Sequence, residues 1–88
     1  MVTREAMIVN PLGLHARAAA KFVRIASQFG GTVRVAKGAR ELDGKSILGL
    51  LLLGAAKGST IIIRVDGADA EAAADALSAL VADGFGEL

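Results

Sequence analysis

Alternation of apolar and polar residues predicts four β-strands in this chain. In the first strand, Ala6 and Ile8 occupy one side, and Glu5 and Met7 occupy the other. The fourth strand is rich in Ile and Val, which is typical of a strand buried within a sheet. A short turn at 38–39 separates the second strand from the third and predicts a β-hairpin. The predicted strands span residues 3–9, 32–37, 40–43 and 60–65.

Apolar residues spaced three and four positions apart predict three helices. These helices span residues 16–29, 47–53 and 70–82. We expect Gly30-Gly31 to end the first helix, because glycine readily takes the left-handed conformation found at many helix ends. Gly54 is expected to close the second helix, Asp69 to be the N-cap of the third, and Gly84 to follow its end.

The order of these elements predicts an α+β fold. Each of the two longer helices carries one apolar stripe and needs a sheet face to cover it. A two-layer open-faced sandwich of order β-α-β-β-α-β-α meets this need and leaves the other sheet face in water. Arg34 and Arg64 alternate with apolar residues in two strands and are expected on that open face. The chain of 88 residues predicts a single domain, residues 1–88, with one modest core.

Composition excludes several classes of function. The chain has no cysteine and only one histidine, which argues against a metal site, and we expect neither a metal nor a cofactor. Without Trp or Tyr, base stacking on nucleic acid is disfavoured. The first residues lack a secretory signal pattern. The longest apolar run, residues 47–53, is far shorter than the ~20 residues that cross a bilayer. We therefore expect a cytoplasmic protein without membrane insertion.

Charge is unevenly distributed along the chain, although the formal net charge is only +1. Residues 1–57 hold nine Lys/Arg and three Asp/Glu, whereas residues 58–88 hold one Arg and six Asp/Glu. A basic portion can steer acidic or phosphorylated partners toward the protein. Chance segregation in a short domain explains the same pattern equally well.

The only histidine, His15, stands at the start of the first predicted helix, two residues before Arg17. A neutral imidazole nitrogen is a good nucleophile near neutral pH. The first helical turn favours an anion through its unpaired N–H groups and its dipole, and the arginine adds a planar donor for phosphate oxygens. This spacing indicates a phosphoryl group carried on the imidazole. The more common alternative is a histidine that only caps or packs the helix, and the spacing alone does not exclude it.

The second predicted helix is apolar nearly all round and too short to bury every side. Leu50 and Leu53 are expected to face the core together. Ile47, Leu48 and Leu51 then form a separate aliphatic stripe. Either the stripe is exposed as a partner surface, or a loop or the following strand covers it.

Ser46 precedes this helix at the N-cap position. As a cap, its hydroxyl satisfies one backbone N–H group and contributes about 1 kcal/mol to stability. That role is the usual one. Phosphorylation would place a double negative charge at the helix N-terminus, which the backbone tolerates well. Beside the aliphatic stripe, the same charge would disfavour an acidic partner, so the modification would weaken binding and leave the fold intact.

Two segments together resemble the HPr family, the histidine-containing phosphocarriers of the bacterial phosphoenolpyruvate-dependent sugar phosphotransferase system. They are residues 10–17, which contain Gly13-Leu14-His15-Ala16-Arg17, and residues 44–49, which read Gly44-Lys45-Ser46-Ile47-Leu48-Gly49. The similarity covers essentially the whole chain in length and element order. It implies a four-stranded antiparallel sheet with three helices on one face. A monomer is the natural expectation for such a shuttle.

The resemblance also implies a site. His15 would accept a phosphoryl group on Nδ1 from the phosphohistidine of Enzyme I and pass it to a histidine of an EIIA domain. Arg17 would stabilise the charge of the group, and the N–H groups of Ala16 and Arg17 would bind its oxygens. The chain would then be an intermediate in phosphoryl transfer rather than a stand-alone enzyme.

Partner surfaces follow from the same resemblance. Ser46 matches the serine that a dedicated HPr kinase/phosphorylase modifies in many bacteria. The docking patch of the family corresponds to Ile47, Leu48 and Leu51. A basic helix face would align acidic partners, and it consists of Arg17, Lys21 and Arg24.

Two departures from the family pattern leave the reacting groups in place. Ala18 stands where most members have proline, which presets the first helical turn. Leu48 and Leu51 stand where the docking helix often carries methionine, whose side chain adapts more readily to different partners.

Three other functions compete with the phosphocarrier of sugar uptake. The nitrogen-related regulatory branch of the phosphotransferase systems uses the same fold and the same histidine. A nucleic-acid or protein-binding module would need an aromatic platform or a dense basic stripe, which the chain lacks. A hydrolytic enzyme is the least favoured, because no cysteine, second histidine or paired carboxylates lie near His15 in the sequence.

Overall fold

Four antiparallel strands and three helices form two layers in the computed structural model, which describes residues 1–88. The strands are β1 (Val2–Met7), β2 (Thr32–Lys37), β3 (Arg40–Asp43) and β4 (Thr60–Asp66). The helices are α1 (Ala16–Ala26), α2 (Ile47–Leu53) and α3 (Ala70–Ala82), and a short turn of 3₁₀ type follows at Gly84–Gly86. The predicted α+β sandwich of order β-α-β-β-α-β-α is confirmed. None of the helices is long and apolar enough to span a membrane.

The sheet has the strand order β1-β4-β2-β3, with every neighbouring pair antiparallel. Its open face carries charge, as predicted. Arg34 and Arg64 are direct cross-strand neighbours, and both contact Glu41, through Arg64 Nη1 at 2.5 Å and Arg34 Nε at 3.5 Å. A shared carboxylate therefore offsets the repulsion between two adjacent like charges.

One hydrophobic cluster fills the space between the sheet and the helices. The helices contribute many alanines, which allow a close approach to the sheet, and a single large residue, Phe22, is completely buried in α1. In the predicted apolar face of α1, Val23 and Phe29 are only partly buried. The completely buried strand and helix side chains include Ile61, Ile63, Val35, Leu50 and Leu77.

Two element ends differ from the predictions by two residues or more. β1 ends at Met7, although the alternation extends to residue 9, and α1 ends at Ala26, three residues before the predicted end. After Ala26 the backbone bonds tighten, because the N–H groups of Gln28 and Phe29 bond to carbonyls only three residues back. The remaining predicted bounds agree with the structure, apart from one more residue at the start of β1 and one more at the end of β4.

Gly30-Gly31 follows α1 for a reason other than the predicted one. Neither residue has a positive φ, so the prediction of a left-handed helix end was wrong here. Gly31 passes directly against the end of β4, where an added Cβ would lie 1.6 Å from the backbone oxygen of Asp66. At Gly30 an added Cβ would meet nothing within 4 Å. Close backbone packing at Gly31, rather than backbone conformation, therefore requires glycine.

The chain after α3 reverses through a left-handed turn. Gly84, Phe85 and Gly86 have φ angles of 63°, 56° and 74°, and Phe85 is the only non-glycine residue with a positive φ. Such a conformation costs an ordinary residue about 1–3 kcal/mol. Complete burial of the Phe85 side chain offsets this cost, and the Lys21 ammonium donates a hydrogen bond to the Phe85 carbonyl at 2.6 Å. The turn brings Glu87 back across the start of α1.

The contrast between the two glycines generates a prediction. Gly31→Ala should lower the free energy of unfolding by ~1–3 kcal/mol or more, because two backbone segments must separate to admit the methyl group. Gly30→Ala is the matched control and should change the free energy of unfolding by no more than ~0.5 kcal/mol. Urea denaturation followed by circular dichroism measures both. Equal destabilisation by the two variants would contradict the packing explanation.

Candidate functional site

The loop between β1 and α1 fixes the position at which α1 begins. The buried Asn10 side chain donates to the carbonyl of Gly13 at 2.7 Å, and the Gly13 N–H donates to the Asn10 carbonyl at 3.1 Å. Gly13 has a φ of 66°, and an added Cβ would lie 2.7 Å from the Ala55 oxygen. The Leu14 N–H donates to the same oxygen at 2.9 Å. His15 thus follows a loop tied to the chain after α2.

His15 is the N-cap of α1, as one of the two interpretations of the sequence held. Its backbone is extended, with φ −80° and ψ 179°, and its Nδ1 accepts the N–H of Arg17 at 3.3 Å. The ring nevertheless faces an open cleft of about 500 Å³. The cap and the phosphoryl acceptor are therefore compatible roles for one side chain. The cleft is lined by Pro11, Leu12, His15, Ala16, Arg17 and Glu87.

A carboxylate that the sequence analysis did not predict contacts the other edge of the ring. Glu87 Oε2 lies 2.5 Å from His15 Nε2, and Glu87 Oε1 accepts a hydrogen bond from Asn10 Nδ2 at 2.9 Å. The Asn10 bond and then the His15 bond hold the pKa of the Glu87 carboxyl below its ordinary value of 4.5, with help from the charge of Lys21 and against a smaller effect of burial. Glu87 is therefore ionised near neutral pH.

The partners of the ring assign the position of its proton. Nδ1 accepts an N–H group and so carries no proton, whereas Nε2 faces an ionised carboxylate and so carries one. In this tautomer Nδ1 holds the free electron pair. The nitrogen with nucleophilic character is therefore the one that faces the first turn of α1.

The predicted anion-binding residues, Ala16 and Arg17, line the same cleft as His15. Of the predicted basic helix face, only part is available to a partner. The Arg17 side chain is exposed and lines the cleft. The Ala16 N–H belongs to the first helical turn, whose N–H groups have no partner within the helix. Arg24 is exposed. Lys21, by contrast, is half-buried, and its ammonium is engaged by the Phe85 carbonyl.

The aliphatic stripe on α2 is exposed, so neither a loop nor the following strand covers it. Leu50 and Leu53 are buried as predicted, whereas Leu48 is 66% exposed. Two leucines that the sequence analysis missed, Leu12 and Leu52, extend this surface. We call the exposed set the aliphatic patch; it consists of Ile47, Leu48, Leu51, Leu52 and Leu12.

The aliphatic patch and the histidine belong to one surface. A shallow depression of about 210 Å³ runs from Leu12 and His15 to Gly54, which caps the end of α2 in the left-handed conformation. At the same end, the carbonyl of Leu52 accepts a hydrogen bond from Arg40. A partner that contacts Leu12 and the end of α2 would therefore also lie next to the ring of His15.

Ser46 is the N-cap of α2, as predicted. Its hydroxyl oxygen accepts the N–H of Gly49 at 3.0 Å, and its backbone is extended. The neighbouring Lys45 side chain is directed away, because its ammonium donates to the carbonyls of Phe29 and Gly31 at 2.8 and 2.6 Å. Asp69 also occupies its predicted N-cap position on α3, but its side chain makes no capping hydrogen bond.

Comparison with known proteins places the chain among phosphocarriers. A family model described as the PTS HPr component phosphorylation site matches residues 2–83. The phosphocarrier protein HPr of Cupriavidus necator is 46% identical over 87 residues, which cover 99% of this chain and 98% of the relative. The phosphocarrier protein NPr of Shewanella violacea is 44% identical over 84 residues, covering 96% and 92%.

Comparison with solved structures gives the same result. The crystal structure of HPr-C-His from Thermoanaerobacter tengcongensis matches with a TM-score of 0.96 and 39% sequence identity, covering 100% of this chain and 99% of that one. Sequence, fold and family model thus agree over nearly the whole length. The chain belongs to the HPr family, the phosphocarriers of the phosphotransferase system.

Proposed function

We propose that the chain accepts a phosphoryl group on Nδ1 of His15 from the phosphohistidine of Enzyme I and donates it to EIIA domains. This transfer serves sugar uptake and its regulation in the cytoplasm. The observation that carries the proposal is the hydrogen bond from the Arg17 N–H to Nδ1, which leaves Nδ1 without a proton at a helix N-terminus in an open cleft. Family membership supports the same assignment.

In the proposed step, Nδ1 attacks the phosphorus carried by the donor histidine. The new N–P bond forms as the donor N–P bond breaks, and the electron pair of that bond returns to the donor nitrogen. The N–H group of Arg17 donates to Nδ1 in the free protein, and it becomes available to a phosphoryl oxygen once Nδ1 is phosphorylated. The N–H of Ala16 and the guanidinium of Arg17 add further donors. The reverse set of changes delivers the group to an EIIA histidine.

In this proposal the aliphatic patch binds the partner proteins and contributes no reacting group. One surface must serve a donor and an acceptor in turn, so each complex has to dissociate quickly. Weak interfaces of modest area meet this requirement. The patch provides the apolar contact, and the exposed Arg17 and Arg24 align acidic partner surfaces, whereas Lys21 is engaged by the Phe85 carbonyl. We propose that the chain acts as a monomer, because a second copy seated on this surface would exclude both partners.

Ser46 is proposed as a regulatory site for an HPr kinase/phosphorylase. Its hydroxyl stands at the N-terminus of α2, where a phosphate is compatible with the helix dipole. The next residue, Ile47, already belongs to the aliphatic patch. A phosphate there would add negative charge to the docking surface and disfavour acidic partners.

The alternative is a role in the nitrogen-related regulatory branch. The 44% identity to an NPr is the observation that favours it. Both branches would use His15 and the same fold. Comparing transfer from the phosphorylated chain to an EIIA domain of sugar uptake and to one of the nitrogen-related branch separates them, since the faster acceptor identifies the branch.

The first prediction concerns the carrier residue. Incubation with phosphoenolpyruvate and Enzyme I should add one acid-labile, base-stable phosphoryl group, measured by intact mass, and His15→Ala should add none. A family HPr of known activity, incubated with the same Enzyme I, is the control for the donor. If that control is phosphorylated and the wild-type chain is not, the proposed function is wrong.

A second prediction concerns docking. Leu48→Asp should raise the KM of Enzyme I for the chain by about tenfold or more and change kcat by less than about twofold, because the charge disrupts apolar contact and leaves the reacting ring in place. Met7→Asp is the matched control, since Met7 is also exposed but lies on the open sheet face. An equal rise in KM for both variants would contradict docking by the patch.

The third prediction separates the two roles of Ser46. Ser46→Ala should lower the free energy of unfolding by about 1 kcal/mol through loss of the cap. Ser46→Asp keeps an N-cap acceptor, so its stability should stay near that of the wild type, but its negative charge should raise the KM for Enzyme I. Urea denaturation and steady-state transfer kinetics measure the two effects. Unchanged transfer kinetics in Ser46→Asp would remove the basis for regulation by charge.

A further inference from the structure

We infer that Glu87 is a positioning residue for phosphoryl transfer: its carboxylate holds the proton on Nε2 of His15 and faces the positive charge that the ring acquires as Nδ1 takes up the phosphoryl group. This inference rests on the proposed function. Glu87 lies outside residues 2–83, which the family model matches. The family-model match therefore assigns no role to Glu87.

Two hydrogen-bond donors converge on the Glu87 side chain. His15 Nε2 lies 2.5 Å from Oε2, and Asn10 Nδ2 lies 2.9 Å from Oε1. Only a carboxylate presents two acceptor oxygens to two donors. An amide of the same size would turn its NH₂ group toward one of them and lose that bond. The site is thus built for a charged acceptor rather than for any polar side chain.

Asn10 ties this carboxylate to the loop that carries the histidine. Asn10 is completely buried, and its two amide hydrogens are used by Glu87 and by the Gly13 carbonyl. The opposite orientation of the amide would place its oxygen against two acceptors, so the contacts permit only one. Glu87 is therefore held by a group that itself has no freedom to move.

The other side of Glu87 is anchored by the left-handed turn. Phe85 is completely buried two residues earlier, and Lys21 holds its carbonyl at 2.6 Å. A positive φ at a phenylalanine is a strained conformation that persists only where the surroundings enforce it. The strain has a direct structural consequence, because this turn is what returns the carboxylate to the ring.

The contact acts on the reaction through charge. When Nδ1 donates its electron pair to phosphorus while Nε2 keeps its proton, the ring becomes cationic. Glu87 then forms an ion pair with the ring that is absent from the neutral starting state, so the interaction is stronger in the transition state than in the ground state. In onward transfer the N–P bond breaks and its electron pair returns to Nδ1, with the Nε2 proton still in place.

The carboxylate does not compete with the phosphoryl group for space. Nδ1 and Nε2 lie on different edges of the ring, and each has its own protein partner, Arg17 N–H and Glu87. In the resting protein the Lys21 ammonium, from the middle of α1, is the positive charge near Glu87, and the neutral His15 ring adds a hydrogen bond from Nε2. Both favour the ionised carboxylate.

The proton position is tested directly by nitrogen NMR. His15 is the only histidine, so long-range ¹H–¹⁵N correlations of the labelled chain report one ring without overlap. At neutral pH the wild type should show an unprotonated Nδ1 and a protonated Nε2 whose hydrogen exchanges slowly with water. Glu87→Ala should lose the slowly exchanging Nε2 hydrogen. A wild-type ring with the proton on Nδ1, or an Nε2 hydrogen unchanged in Glu87→Ala, would overturn the inference.

Transfer kinetics test the effect of charge. Glu87→Gln and Glu87→Ala should each lower kcat for phosphorylation by Enzyme I by about tenfold, the scale of one charge-assisted hydrogen bond, and leave KM within about twofold. Glu71→Gln is the matched control: it also removes an ion-paired carboxylate, but one whose partner is Arg4. Faster transfer by Glu87→Ala would mean that the carboxylate repels the phosphoryl group, and unchanged kcat would also refute the positioning role.

Acid unfolding tests whether the contact forms in solution. Because the folded-state pKa of Glu87 is lowered, its stabilisation is fully present above the ordinary value of 4.5 and is lost as the pH falls through the lowered value. The difference in free energy of unfolding between wild type and Glu87→Gln should therefore shrink below pH 4.5. A difference that is absent or independent of pH would refute the contact, and with it the inference.

These outcomes are separable from failure of the proposed function. If the wild type itself gains no phosphoryl group from an active Enzyme I, the proposed function fails. If the wild type is phosphorylated at His15 and the Glu87 variants match it in kcat and in ring NMR, only the positioning role of Glu87 fails.

Discussion

The first turn of an α-helix has backbone N–H groups with no partner inside the helix, and the site of this protein is arranged around that deficit. His15 meets part of it through Nδ1, which accepts the N–H of Arg17. The same contact keeps Nδ1 unprotonated and places its electron pair where an anion is electrostatically favoured. Capping and the proposed reactivity of His15 thus depend on one hydrogen bond. The loop before α1 and the turn after α3 both serve to hold the ring in that contact.

The protein combines a tightly packed core with an exposed apolar surface on α2. A single core packs both long helices against one sheet face, and residues that cannot be enlarged, such as Gly13 and Gly31, set the approach of neighbouring segments. α2 contributes only Leu50 and Leu53 to this core and leaves its other leucines in water. Burial of these leucines would stabilise so small a domain, but they remain exposed. An exposed apolar surface of this kind is suited to brief contact with successive partners.

The basic residues 1–57 and the acidic residues 58–88 do not form two oppositely charged halves of the folded protein. Arg4, from the basic part of the sequence, contacts Asp75 at 3.0 Å, and His15 contacts Glu87. Lys21 is drawn into a hydrogen bond with the turn after α3. Much of the charge separation is therefore neutralised by folding, and Arg17 and Arg24 are left as the exposed cations of α1.

Local sequence patterns were enough to predict the elements and the proposed phosphoryl acceptor, His15. Periodicity is a local property, so it predicted α2 and α3 to the residue, and the capping roles of His15 and Ser46 follow from residues two or three positions away. Contacts between segments far apart in the sequence appear only in the folded protein. Gly31 is needed because of Asp66, and no local pattern shows this. Glu87 reaches His15 across 72 positions only because Phe85 is buried in a strained turn. Long-range packing, not spacing, created that contact and assigned the proton of the ring.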